Sequence, residues 1–252
     1  MRRIPSWHAV WGLRAAALIL LFWLWERAGR QPGAYGIPAA SATAAAFWQL
    51  LTSGALIAAV GTSARSFVLG FGPAVLVGIP VGLLMAFVPP LGRMARVYLD
   101  VAMAVPMAAV VPLVILTLGI NVAAVALVVF VFSMPFVASN TYGGVREVSP
   151  RLIEMALAFD ARRRHILFKI LLPGAMPMIL AGIRYGLARA FVGLVVAELL
   201  LAPFGLGELI ADARSTFDFD RMFASVLALL LAAVVVISGV QRLEGRLLHW
   251  RQ

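Results

Sequence analysis

The sequence predicts an all-α integral membrane protein with about six transmembrane helices and both termini in the cytoplasm. Three observations carry this expectation. Of the 252 residues, 63% are hydrophobic, against about 45–50% apolar residues in an ordinary soluble domain, and the mean hydropathy is +0.98. About six stretches are apolar enough over the roughly 20 residues that a helix needs to cross the hydrocarbon core. Arginine and lysine fall unequally on alternate connections, which orients the bundle. The formal net charge of +10 reports that asymmetry rather than a nucleic-acid partner.

Taken in order, the first span is Val10–Trp25, preceded by Arg2 and Arg3. Trp23, Trp25 and Glu26 close it without a small-residue cleavage site, so it is read as a retained helix and not a signal peptide. Arg30–Thr52 is an outer connection, within which Ala44–Leu51 is expected to form a short amphipathic surface helix. Residues 1–55 thus form an N-terminal helix plus connection, and 56–252 the core. The second span, Arg65–Val88, carries Gly78 and Gly82 in a G-x-x-x-G pair. Small residues at this spacing allow helix backbones to approach, either within one chain or across a dimer. The third, Val97–Leu118, is interrupted by Pro106 and Pro112 and is one kinked helix or two shorter pieces. Val122–Tyr142, Gly174–Leu201 and Met222–Val240 complete the set.

With the N-terminus inside, the cytoplasmic side collects Arg2, Arg3, Arg93, Arg96, the run from Arg146 to Lys169, Arg242, Arg246 and Arg251. The outer side keeps Arg27, Arg30, Arg214 and Arg221, with Glu208, Asp212, Asp218 and Asp220. An even helix count returns the C-terminus to the inside.

The most charged segment, Arg151–Pro173, is the inner connection between the fourth and fifth spans. Leu152, Met155, Ala156 and Phe159 form one helical stripe, and Ile166, Leu167, Ile170 and Leu171 another. Asp160 falls between them, where it either caps the second helix or occupies a left-handed turn, and Pro173 is expected to end the unit. Two short amphipathic helices at a bend are too polar to span and too apolar to hang free.

Catalytic chemistry is excluded by several absences. There is no cysteine, hence no disulfide, thiolate metal site or cysteine nucleophile. His8, His165 and His249 are far apart, and no metal site is expected. The single lysine, Lys169, is followed by Ile170, so no G-x-x-x-x-G-K-[ST] phosphate loop exists. The chain is not read as an enzyme, and energy for any driven process must come from another subunit. Charges inside spans are expensive and default to functional candidates: Glu198, Arg184 and Arg189 in the fifth span, Asp100 opening the third and Arg65 opening the second, with an interhelical pair or a carbonyl-bonded end charge as the alternative for each and snorkelling for Arg184 and Arg189.

The order Glu154-Met155-Ala156, Asp160, nine residues, then Ile170-Leu171-Leu172-Pro173 resembles the EAA loop of ABC-importer permeases. Met155 stands for an alanine of the family pattern and Asp160 for its glycine. Val105-Pro106 through Pro112-Leu113 to Leu118-Gly119-Ile120, Gly182-Ile183-Arg184-Tyr185-Gly186-Leu187, Ala197-Glu198 and Gly205-Leu206-Gly207-Glu208-Leu209-Ile210 are similar to the nitrate/sulfonate/taurine branch. So is Arg242-Leu243-Glu244 before a basic end. The resemblance implies a type I ABC-importer permease fold in a bacterial inner membrane. It also implies that the loop at 143–173 docks on a cytoplasmic ATP-binding subunit. Glu154, Met155, Ala156, Phe159, Asp160, Arg162, Arg163, Ile166, Ile170 and Pro173 would then form the coupling element. Within it, Ala156, Phe159 and Ile166 would give apolar contact, and Arg162–Arg164 would meet an acidic protein surface or anionic lipid.

The implied partners are a second permease chain (a homodimer is expected), the ATP-binding subunits, a periplasmic or surface substrate-binding protein and membrane lipid. ATP is held by the partner, and the chain itself needs no cofactor. The implied cargo is a small oxyanion such as nitrate, a sulfonate or taurine. A vitamin or pyrimidine precursor, or a self-sufficient channel or secondary transporter, is the alternative.

Overall fold

In a computed structural model the described residues are 7–31, 36–106, 109–201 and 205–247, with 7–11, 201, 243, 244, 246 and 247 described in backbone only. Arg2, Arg3 and Arg251 of the expected inner set lie outside them. The described chain forms helices α1 (Trp7–Gly29), α2 (Ala40–Thr52), α3 (Ala55–Phe87), α4 (Pro89–Ala104), α5 (Val111–Leu118) and α6 (Val122–Glu147). It continues with α7 (Pro150–Ala158), α8 (Arg163–Ile166), α9 (Leu172–Leu201), α10 (Gly205–Ser215) and α11 (Phe219–Leu247). Helices satisfy their own backbone hydrogen bonds, a condition for crossing hydrocarbon. Among the described residues, four are long and apolar enough to do so: Ala55–Phe87, Val122–Glu147, Arg163–Leu200 and Phe219–Arg242.

Three boundaries differ from the sequence reading. The second span begins at Ala55, directly after Gly54 turns the chain from α2 with φ 81°, so Arg65 lies inside α3 instead of opening it. The third span is two pieces. Proline disfavours helix in the residue before it, and Val105, preceding Pro106, is extended at φ −62°, ψ 130°. Asp100 consequently sits in the second half of α4. Pro173 does not end the loop, because α8 runs through a π-helical stretch at Leu167–Leu171 straight into α9. An internal proline lacks an N–H and its ring crowds the carbonyl four residues back. The wider π turn just upstream makes room for it.

The surface helix expected at Ala44–Leu51 is α2, which buries Thr43, Ala46 and Leu50. Helix α6 lies at the centre, between α3 and α9. Phe67, Val125, Val129, Leu187, Phe191 and Leu194 form its main apolar cluster, with the Phe67 and Phe191 rings 4.6 Å apart. The glycine pair on α3 is used inside the chain. A Cβ at Gly78 would lie 2.9 Å from Val137 Cβ, and one at Gly82 would lie 2.6 Å from Thr141 Cβ. Of the two readings of the G-x-x-x-G pair, the structure therefore has internal packing against α6. At the end away from the α6–α9 connection, the end expected to face outward, α2, α10 and α11 close over a second cluster containing Leu50, Leu56, Leu206 and Leu229.

Candidate functional site

The connection between α6 and α9 folds as an elbow. Helix α7 starts on Pro150, whose missing N–H costs nothing in the first turn, and ends in a Schellman motif. The Asp160 N–H donates to the Leu157 carbonyl at 2.9 Å and the Ala161 N–H to the Ala156 carbonyl at 3.0 Å. Asp160 takes φ 55°, and Ala161 packs into the cluster that holds Ala156. The N-cap of α8 is Arg162, with no side-chain cap hydrogen bond. Of the two roles open to Asp160, the structure has the left-handed turn. This is the conformation glycine adopts freely and aspartate tolerates better than most residues.

The motif gives the elbow two faces. Ile153, Ala156, Ile166, Ile170 and Leu171 turn inward onto Val145, Val148, Ala175 and Ile179. Ala156 and Ile166, expected to offer apolar contact to a partner, are each only 7% exposed and serve the chain's own packing. The outward face shows Leu152, Met155 and Phe159, 46%, 53% and 82% exposed, in i, i+3, i+7 register. Glu154, Arg162 and Arg163 are exposed beside them, as is Pro173. Leu152 on this face and Phe168, 64% exposed on the stretch that follows α8, were not among the expected site residues. The stripe containing Leu152 was visible in sequence, but which side of it faced the bundle was not.

The intramembrane charges separate into different environments. Asp100 is exposed on α4 with its carboxylate 3.8 Å from Arg96. Arg65 is exposed on α3. Arg189 is exposed on α9 with its guanidinium 5.0 Å from the Phe136 ring centroid, a cation–π distance. Arg184 is half-buried, 5.7 Å from the ring of Tyr185. Glu198 stands apart, 1% exposed. Its Oε2 accepts the Gly207 N–H at 3.1 Å, while Ser63 Oγ accepts the neighbouring Leu206 N–H at 3.0 Å. The N-terminus of α10, with its unpaired N–H groups, supplies the polar partner of this carboxyl. Gly207 is required there, since a Cβ would come within 2.5 Å of Glu198 Cβ. Oε1 has no hydrogen-bond partner among the described residues. These contacts tie α9, α10 and α3 together. Among the described residues no group of carboxylates and histidines could hold a metal ion.

A bundle of apolar spans with an exposed apolar elbow between two of them is a helical membrane protein with a surface open to a partner. The chain belongs to the binding-protein-dependent transport system inner membrane component family, whose profile matches residues 78–249. It is the permease of an ABC importer and an inner membrane protein. It is 32% identical over 244 residues to the putative aliphatic sulfonates transport permease SsuC of Bacillus subtilis, spanning 95% of this chain and 87% of that one. It is also 32% identical over 177 residues to the taurine transport system permease TauC of Escherichia coli, spanning 70% and 64% of the two chains. The riboflavin transport system permease RibX of Chloroflexus aurantiacus is 32% identical over 249 residues, 97% of this chain and 91% of its own. In fold the chain is similar to the inward-facing MetNI methionine ABC transporter, with a TM-score of 0.58 at 20% identity over 81% of this chain and 97% of that one. An amino acid ABC transporter matches with a TM-score of 0.60 at 18% identity, over 82% and 98%.

Proposed function

We propose that this permease imports a small sulfonate or related oxyanion as a homodimer. A separate ATP-binding subunit drives it by docking on the α7–α8 elbow, and a substrate-binding protein delivers cargo to the outer end. The observation that carries the docking role is the outward stripe Leu152, Met155 and Phe159 beside Glu154. Three large apolar side chains in water favour a partner at roughly 25 cal/mol per Å² removed from water. Because α8 continues into α9 without a break, a displacement of the elbow is passed directly to a spanning helix. Exposed Arg189 and half-buried Arg184 on α9 support an anionic cargo, as do the sulfonate and taurine permeases among the relatives.

Co-purification from detergent with the cognate ATP-binding subunit tests the docking role. Glu154→Arg and Phe159→Asp should each abolish the association, and retention of the subunit by both variants would count against the elbow. Cargo is tested in proteoliposomes, where binding protein loaded with taurine or ethanesulfonate should stimulate ATP hydrolysis. Stimulation by riboflavin instead would favour the vitamin reading that the RibX similarity supports. The six-span topology with both termini inside is accessible to labelling of single introduced cysteines, because the chain has none of its own.

A further inference from the structure

Between α4 and the elbow end of α6 lies an open cavity of about 420 Å³, lined by Arg96, Ser139, Tyr142, Gly143 and Arg146. Four of these five residues carry side-chain hydrogen-bond donors, and the described contacts leave several of those donors available. Arg146 Nη1 donates to the Tyr142 hydroxyl at 2.9 Å, and its guanidinium lies 5.6 Å from the Tyr142 ring centroid. The guanidinium is thereby held in place, and the phenol oxygen, having accepted, keeps its own proton to donate. On the same helix, Ser133 and Thr141 return their hydroxyls to the carbonyls of Val129 and Val137 at 2.7 and 2.8 Å. No such bond engages the Ser139 hydroxyl among the described residues. The carboxylate nearest Arg96 is Asp100, at 3.8 Å and 57% exposed. No described carboxylate pairs with Arg146.

We propose that this cavity binds one tetrahedral oxyanion group, a sulfonate or a phosphate, between the guanidinium groups of Arg96 and Arg146, with the Tyr142 and Ser139 hydroxyls completing its shell. Planar guanidinium donors match the oxygens of such groups with charge-assisted hydrogen bonds. The cavity lies in the last turns of α6, just before the elbow, at the depth where a bilayer's inner headgroups or the inner mouth of a transport path would be. The anion is therefore either cargo leaving the bundle, which rests on the sulfonate reading above, or the phosphodiester of an anionic lipid, which does not.

Gly143 provides a clean means of filling the site, because nothing lies within 4 Å of where its Cβ would stand. Gly143→Leu should occupy the cavity without disturbing the packing of α6. The test uses the full permease–ATPase complex in phosphatidylcholine nanodiscs. One arm titrates ethanesulfonate calorimetrically, and the other measures retention of phosphatidylglycerol over phosphatidylcholine by native mass spectrometry. In at least one arm the wild type should bind. There, Arg146→Gln and Gly143→Leu should each weaken binding at least tenfold, with Arg27→Gln unchanged. Binding in the ethanesulfonate arm identifies cargo, and binding in the phosphatidylglycerol arm identifies lipid. No binding in either arm, or binding within twofold of wild type in both variants, overturns the site. A Gly143→Leu variant with wild-type melting temperature and gel-filtration profile excludes misfolding as the cause of a loss. If the cargo is not a sulfonate, the proteoliposome assay fails while the phosphatidylglycerol arm still decides the site.

Discussion

The turns that close α7 and α10 share one backbone solution and differ in what holds them. At the elbow, α7 closes through a Schellman motif with Asp160 at φ 55°. At the outer end, α10 closes the same way. The Phe217 N–H donates to the Arg214 carbonyl at 3.2 Å, the Asp218 N–H donates to the Ala213 carbonyl at 2.8 Å, and Phe217 also has φ 55°. The outer turn then leads into a capped helix, since Asp218 Oδ1 accepts the Arg221 N–H at 3.1 Å. The helix before it is anchored at its own start by Glu198. The elbow has neither device. Helix α8 begins uncapped among Arg162, Arg163 and Arg164, cations at the helix end that disfavours them. It is kept in shape by apolar packing of Ala156, Ile166 and Leu171 on α6 and α9. A polar-pinned outer turn holds its own geometry, whereas a turn held by packing on α9 must move with α9. That is the property a transmission element needs.

The largest effect is expected where the outer end is pinned most deeply. Glu198→Ala strands the Gly207 N–H in the interior and should lower stability by about 1–3 kcal/mol, the usual cost of a buried donor left unpaired. Thermal unfolding in detergent measures it, and a wild-type melting temperature would remove the anchor from the comparison. At the elbow, Asp160→Val places a β-branched residue in the left-handed region, at roughly 1–2 kcal/mol. It should uncouple ATP hydrolysis from transport, whereas Asp160→Gly should leave transport largely intact. Loss of coupling in the glycine variant would show that the carboxylate itself is needed.

Phe217→Gly relieves the bulkier of the two left-handed residues. The gain should stay within about 1 kcal/mol, because lost contact with Phe219 and the freedom of glycine in the unfolded chain oppose it. Clear destabilisation in that variant would mean the ring, 77% exposed, does more for the outer turn than its surroundings suggest.

The smallest effect concerns a second, shallower anchor. Glu26 accepts from the Ser41 N–H at 2.9 Å and the Ser41 hydroxyl at 2.8 Å, tying α1 to the start of α2. These bonds, with Arg30 beside it, hold its carboxyl below the ordinary glutamate range. A depressed folded-state value means the anchor's contribution is fully present above the unfolded-state value and disappears as pH falls through the folded one. In an unfolding titration, Glu26→Gln should therefore flatten the acid limb while changing stability near neutrality only slightly.

Much of the spanning core is legible from residue order alone. The apolar stretches at Val122–Tyr142 and Gly174–Leu201 fall within α6 and the helix that includes α9, since a span needs only composition and length. The split at Pro106 is legible as one of two options, because proline acts on its own neighbours. The elbow is legible as two amphipathic stripes around Asp160. Its facing is not. Stripe spacing defines a face but not what lies against it, and the Schellman turn rotates Ala156 and Ile166 inward while leaving Leu152, Met155 and Phe159 in solvent.

Residue order therefore dictates what depends on neighbours along the chain: the apolar spans, the proline break and the residues able to take a left-handed turn. Everything that depends on partners distant in sequence comes from the packing of the helices. Packing matches Glu198 to the first turn of α10 and Gly82 to Thr141, and it brings Arg96 and Arg146 to one cavity. The physical reason is common to all three. A side chain's local propensity is short-ranged, but the pairing of a buried carboxyl, the close approach of two backbones and the assembly of a polar cavity are set by which helices pack together.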